Sequence, residues 1–275
     1  MTSIKHAGPG RPALRDDHDL LREAVATAGT TALRYFRRDT PVYRKPDGSE
    51  VTDADLAVDA QLRDALCGPR PGYGWLSEES ADDLARLEAE RIWIVDPIDG
   101  TRAFIQDRDQ WVIAAALVEA GAPVAAAIYN AARDELFTAC RGDGAELNGA
   151  PIHVTGRNDL HGARILTPRG VARRAGWHEP GEPEVETSFV YSIAYRMGLV
   201  AAGRFDGLIS TGEKSEWDVA AGTLIVQEAG GLATSVAGAP YEFNKREPVC
   251  SGTVAASPAL HGILLKAVEQ RGTTG

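Results

Sequence analysis

Apolar residues recur every three or four positions from Asp16 to about Arg38, with acids early and arginines late, so this segment is predicted helical. In DADLAVDAQLRDALC the residues Leu56, Val58, Leu62 and Leu66 repeat the pattern, predicting a second helix that starts near Thr52 with Asp55 in its first turn. The Pro-Asp-Gly of VYRKPDGSEVT between them signals a turn. YGWL at 73–76 reads as a short strand running into Ser77, Glu78 and Glu79, and DDLARLEAE as a brief helix. Ile92, Trp93, Ile94 and Val95 form an unbroken apolar run, the mark of a strand covered on both faces. Pro97 cannot donate to a ladder, so the chain is expected to leave the sheet at Asp96 and turn through Ile98, Asp99 and Gly100. WVIAAALVEA, APVAAAIYN and DELFTAC then predict an antiparallel meander.

Past about Val154, strand-like segments (ARILTP, RFDGLIST, TVAAS) alternate with helix-like ones (SFVYSIAYRMGLVAAG, WDVAAGTLIVQEAGG, PALHGILLKAVEQ). The expected organisation is a loose segment at 1–13, an α+β half at 14–157 and an α/β half at 158–275, with a site in the cleft between the halves.

Composition narrows the picture. At 275 residues and 44% hydrophobic the chain can bury a large core, and a net charge of −10 argues against a nucleic-acid polymer as partner. Cys67, Cys140 and Cys250 are far apart and form no CxxC, which supports neither a disulfide framework nor a zinc site. The N-terminus lacks the apolar core of a signal peptide, and no run approaches the ~20 residues needed to cross a bilayer. The expectation is a cytoplasmic protein that does not engage membranes.

Candidate chemistry lies in the acids. Glu78 follows one apolar segment, Asp96 and Asp99 follow another, and Asp218 precedes a helical run that ends at Gly230 and Gly231. Each has an ordinary use as a cap or turn residue, but Asp96 and Asp99 emerge together and repel unless a cation lies between them. Carboxylates without cysteine or clustered histidine favour magnesium or manganese over zinc. Gly100 and Thr101 could open a short helix whose N–H groups hold phosphate oxygens. A covalent route through Ser80 or a Cys–His pair has no supporting motif.

SEES, DPIDGTRAF and EWDVAAGTLIVQEAGG in that order, with KPDGSEVTDAD upstream, resemble the inositol monophosphatase superfamily of magnesium-dependent, lithium-sensitive phosphomonoesterases. The resemblance covers roughly residues 15–265 and implies a layered α/β/α/β/α sandwich and a homodimer. It also implies about two to three Mg2+ ions, replaceable by Mn2+ and inhibited through Li+. On the matching positions, Glu78, Asp96 and the carbonyl of Ile98 would hold the first ion, and Asp96, Asp99 and Asp218 the second. Hydrolysis would use a metal-activated water oriented by Thr101, which Asp55 or Glu78 polarises, with Gly100 and Thr101 at the phosphate.

For the substrate, DGTRAF, SEWD and GAPYEFNK resemble segments of the bacterial CysQ-like 3'(2'),5'-bisphosphate nucleotidases. Arg196 falls where those enzymes carry a lysine that could meet a second phosphate. Thr211 stands where inositol-specific members have an acid, and Glu213 is near enough to replace it. The expectation is removal of the 3'-phosphate of adenosine 3',5'-bisphosphate. The alternatives are inositol-1-monophosphatase or histidinol-phosphatase activity and, from another class, a catalytically silent phosphate- or metal-binding protein.

Overall fold

A computed structural model describes residues 11–46, 48–177, 179–181 and 183–269. Residues 1–10 of the expected loose segment, Asp47 of the predicted turn and Gln270 at the end of the last helical run lie outside the described residues. Seven helices are described: α1 (Arg11–Tyr35), α2 (Asp53–Cys67), α3 (Thr101–Ile105), α4 (Arg169–Arg174), α5 (Ile193–Ala201), α6 (Glu216–Glu228) and α7 (Pro258–Glu269).

The meander belongs to a seven-stranded sheet ordered Gly74–Ser77, Arg91–Asp99, Val112–Glu119, Ala122–Asn130, Glu135–Cys140, Gly144–Leu147 and Ala150–Pro151. Its first pair is parallel and the rest are antiparallel. A five-stranded sheet is ordered Val185–Ser188, Ala163–Leu166, Gly207–Ser210, Thr253–Ala256 and Leu232–Thr234.

Alternating side chains stack these sheets into five layers. Trp93 and Val95 pack with Leu21 and Val25 of α1 and Val58 and Leu62 of α2, while Ile92 and Ile94 turn to the opposite face. That face meets Met197 and Val200 of α5 and Leu224 and Ile225 of α6, which are covered from the far side by Leu166, Leu208 and Ala255 of the smaller sheet. Ile165, Ile209 and Val254 face outward against Val171 of α4 and Leu260 and Leu264 of α7. The order helix, sheet, helix, sheet, helix is the expected sandwich. Within the central layer α5 and α6 come into close contact at Gly222, where a Cβ would come within 2.6 Å of the Met197 sulfur.

Several local expectations need correction. The strand does not stop at Asp96 but runs to Asp99, because its pairing slips: Asp96 lies opposite Ala114 and Asp99 opposite Val112. The bulge takes up Pro97 and Ile98, so the missing proline N–H breaks no ladder bond. Helix α1 starts at Arg11 rather than near Asp16 and stops at Tyr35 rather than Arg38, with Arg37 left-handed at φ 58°. Leu84–Glu88 is a 3-10 helix. The VYR and EVT segments pair as an antiparallel hairpin, where the sequence signals only the Pro-Asp-Gly turn between them.

Candidate active site and metal centre

Two of the acids are placed by helix capping. Asp55 is the third residue of α2, where one carboxylate oxygen accepts from the Thr52 N–H at 2.8 Å and from the Thr52 hydroxyl at 2.6 Å. Its other oxygen lies 3.3 Å from the Thr101 hydroxyl, which is also 3.1 Å from the Ile98 carbonyl. Asp218 repeats the arrangement as the third residue of α6, accepting from the Ser215 N–H at 2.7 Å through Oδ2. A capping box thus occupies one oxygen of each acid and leaves the second to the site.

The other acids come from the sheet. Gly74–Ser77 runs parallel to Arg91–Asp99 with Ser77 opposite Val95, and the Glu78 N–H donates to the Val95 carbonyl at 3.3 Å. Glu78 therefore leaves the sheet beside Asp96. Asp99 Oδ2 accepts from the Ser192 hydroxyl and the Ala194 N–H, both at 2.6 Å, which ties it to the start of α5. Gly100 turns the chain into α3 at φ 99°, where a Cβ would approach the Gln110 carbonyl to 2.9 Å.

Carboxylate oxygens of Asp96, Asp99 and Asp218 lie within 4.8 Å of one another. Asp96 and Asp99 are buried and Asp218 half-buried. Burial, reinforced by the neighbouring carboxylates, pushes Asp96 well above the usual carboxylate range. Burial likewise raises Asp99 to about 6 and Asp55 to about 6, and, with Asp99 adding to it, Asp218 to about 7. Among the described residues, Asp96 Oδ1 is buried with no hydrogen-bond partner. An unpaired carboxylate oxygen among converging carboxylates is costly alone and suited to a hard cation. The donor set is entirely oxygen, which fits magnesium and disfavours zinc.

The substrate-side expectations fare differently. Arg196 is 4% exposed; its guanidinium donates to the carbonyls of Val190 and Tyr191 and stacks 4.5 Å over Phe189. These contacts hold segment 189–191, and the charge of Arg196 acts on the neighbouring Asp99. In GAPYEFNK, Tyr241 donates toward the Thr234 and Gly252 carbonyls and Phe243 is buried, while Glu242, Phe243 and Asn244 line a cavity with Ile92, Val118 and Gly121. Thr211 and Glu213 are exposed, and the Thr211 hydroxyl accepts from Arg174 at 3.4 Å.

Sequence reasoning passed over three contributors. Lys45, on the loop of the hairpin, donates to Glu78 at 3.2 Å and Glu79 at 2.8 Å. Ser192 caps α5 while donating to Asp99, and a serine before an apolar helical run was a legible signal for the cap. Asp59 accepts from Ser77 and Ser80 on either side of Glu78 and Glu79; it lies one helical turn after Asp55, on the same face of α2.

Comparison with known proteins matches this arrangement. A family profile described as the inositol monophosphatase family covers residues 15–273. The chain is 32% identical over 265 residues to inositol-1-monophosphatase of Rhizobium meliloti, spanning 92% of this chain and 97% of that protein. It is 35% identical over 238 residues to histidinol-phosphatase of Mycobacterium tuberculosis, spanning 80% and 89%. The crystal structure of extragenic suppressor protein suhB from Bartonella henselae superposes with a TM-score of 0.81 at 29% identity, covering 92% of this chain and 98% of that one. With its five-layer fold and buried acid cluster, the chain belongs to the inositol monophosphatase family, whose members are magnesium-dependent hydrolases of phosphoric monoesters.

Proposed function

We propose that this phosphomonoesterase holds magnesium on Asp96, Asp99 and Asp218, with Glu78 and the Ile98 carbonyl completing the ligand set, and hydrolyses a small polyol phosphate of the inositol 1-phosphate class. The observation that carries the site is the orphaned Asp96 oxygen at the centre of the acid cluster. Two to three ions, and Mn2+ as a substitute, remain part of this reading.

When bound, magnesium supplies the positive charge that offsets developing charge on the phosphoryl and leaving oxygens. The chain's own residues handle the water. The Thr101 hydroxyl, between Asp55 Oδ1 and the Ile98 carbonyl, accepts a proton from the attacking water as it passes its own to Asp55. Burial suits Asp55 to this role by raising its pKa to about 6, which makes it a stronger proton acceptor than an ordinary carboxylate. Gly100 lets the backbone come close to the phosphate, and the start of α3 faces it.

The polyol reading rests on the name of the Rhizobium relative and on what Arg196 does: the residue proposed for a second phosphate is engaged with loop carbonyls. Histidinol phosphate is the second reading, favoured by the relative of that name at 35% identity. Adenosine 3',5'-bisphosphate, the finer expectation from SEWD and Arg196, stays as an arm of the test. The homodimer, the cytoplasmic setting and a division near residue 157 carry over as proposals from the sequence. No described helix is long and apolar enough to cross a membrane.

The deciding experiment is phosphate release in magnesium from inositol 1-phosphate, histidinol phosphate, adenosine 3',5'-bisphosphate and fructose 1,6-bisphosphate. The expected result is a kcat/KM for inositol 1-phosphate at least about tenfold above the bisphosphates. A tenfold preference for the nucleotide would overturn the polyol reading and leave the acid cluster in place.

A further inference from the structure

Two residues before Asp218, Glu216 is fully buried at the first position of α6. It touches none of the three clustered carboxylates as a ligand; its oxygens accept instead from the backbone N–H groups of Asn244 at 2.6 Å and Lys245 at 3.0 Å. The Glu216 N–H donates to the Pro248 carbonyl at 2.9 Å. Asn244 is left-handed at φ 62°, and its side chain is gripped from the other side of the molecule. Arg86 donates to Asn244 Oδ1 at 2.6 Å and to the Lys245 carbonyl at 2.9 Å, while the Asn244 amide donates back to the Arg86 carbonyl at 3.3 Å. Asp82 fixes the guanidinium with contacts of 2.6 and 2.9 Å.

Arg86 lies on the 3-10 helix that follows the Glu78 loop, and it is 3% exposed. The hydrogen bonds therefore form one continuous path from Asp82 and Arg86, in the segment that follows Glu78, through Asn244 and Lys245, to the start of the helix carrying Asp218. We propose that Arg86, Asn244 and Glu216 are positioning residues that set the distance between these two acids across the molecule, and so tune how tightly the site binds magnesium. The proposal rests on the metal-ligand reading above. It also gives one physical account of two sequence features, the glutamate of SEWD and the Asn-Lys of GAPYEFNK, as the two sides of a single contact.

Burying a carboxylate here is costly, and it is offset only because both oxygens receive backbone donors. Glu216→Gln replaces one acceptor with an amide that faces an N–H, so the contact opens. Asn244→Gly tolerates the left-handed backbone and keeps the N–H donors to Glu216, but removes both side-chain hydrogen bonds between Asn244 and Arg86 and leaves only the Lys245 carbonyl linking this segment to the guanidinium.

The test is calorimetric titration of Mg2+ into the full chain and the two variants, with Tm measured alongside and kcat and KM determined at saturating Mg2+. Partners that orient ligands typically change metal affinity about 10–100-fold when lost. Glu216→Gln is expected to weaken Mg2+ binding about tenfold and Asn244→Gly about threefold, with KM at saturating Mg2+ within about twofold. Wild-type Mg2+ affinity in both folded variants, whatever their Tm, would overturn the proposal. If Glu216→Gln does not fold, Asn244→Gly decides alone: weakened binding supports the proposal and unchanged binding overturns it. Absence of Mg2+ binding by the unaltered chain would instead sink the metal reading on which it rests.

Discussion

Asp218 and Asp96 reach the same site by opposite routes. Asp218 is held by its own helix, with one oxygen in the capping box of α6, so its placement is nearly local. Asp96 sits at a bulge in a buried strand, beside a parallel strand that brings Glu78 and close to the helix start that brings Asp218, with one oxygen left without a partner among the described residues. A capped acid has a structural use whether or not metal binds. An orphaned acid is a liability to the fold until a cation arrives, so the two should respond differently to the same substitution.

The largest effect is expected at the orphan. Asp96→Asn removes the unpaired carboxylate of the cluster and should lower phosphate release by more than about 100-fold while raising the Tm of the metal-free protein, because it relieves repulsion. Near-normal turnover would dismiss Asp96 as a ligand. Thr101→Ala should lower kcat by about 100-fold with KM nearly unchanged, the signature of a residue that acts in proton transfer. A pure KM effect would make Thr101 a phosphate anchor instead.

Asp218→Asn sharpens the comparison. The amide carbonyl can still accept from Ser215, so the cap and the metal-free Tm should persist while Mg2+ affinity falls about tenfold or more, read by calorimetry. An unchanged affinity would reduce Asp218 to a cap. The smallest effect is that of pH on the metal-free chain. Asp55, Asp99 and Asp218 titrate near 6, 6 and 7 in the fold against an ordinary value of 3.8. Between those values the folded chain holds more protons than the unfolded one, so its stability should fall as pH rises from about 4 to about 7. Added Mg2+ should reverse the trend at neutral pH; a metal-free Tm that climbs over this range would contradict the buried-cluster picture.

Periodicity by itself determined the longer helices α1, α2, α5, α6 and α7, most strands of the larger sheet and the alternation in the second half, while the short α3 and α4 left no repeat to read. It also put Asp55 and Asp218 in first turns, since capping is decided within four residues. Motif order, set against a known family, pointed to the acids and the chemistry. Only the tertiary structure decided which neighbours those acids meet. The bulge that carries the strand past Pro97 depends on the partner strand's register, and Ser192 reaches Asp99, 93 positions earlier in the sequence, only when the intervening chain folds back. Arg196 shows the reason most plainly. Its sequence position suggested a contact to a second phosphate, and only three-dimensional packing placed its guanidinium in a buried position against Phe189 and the 190–191 carbonyls.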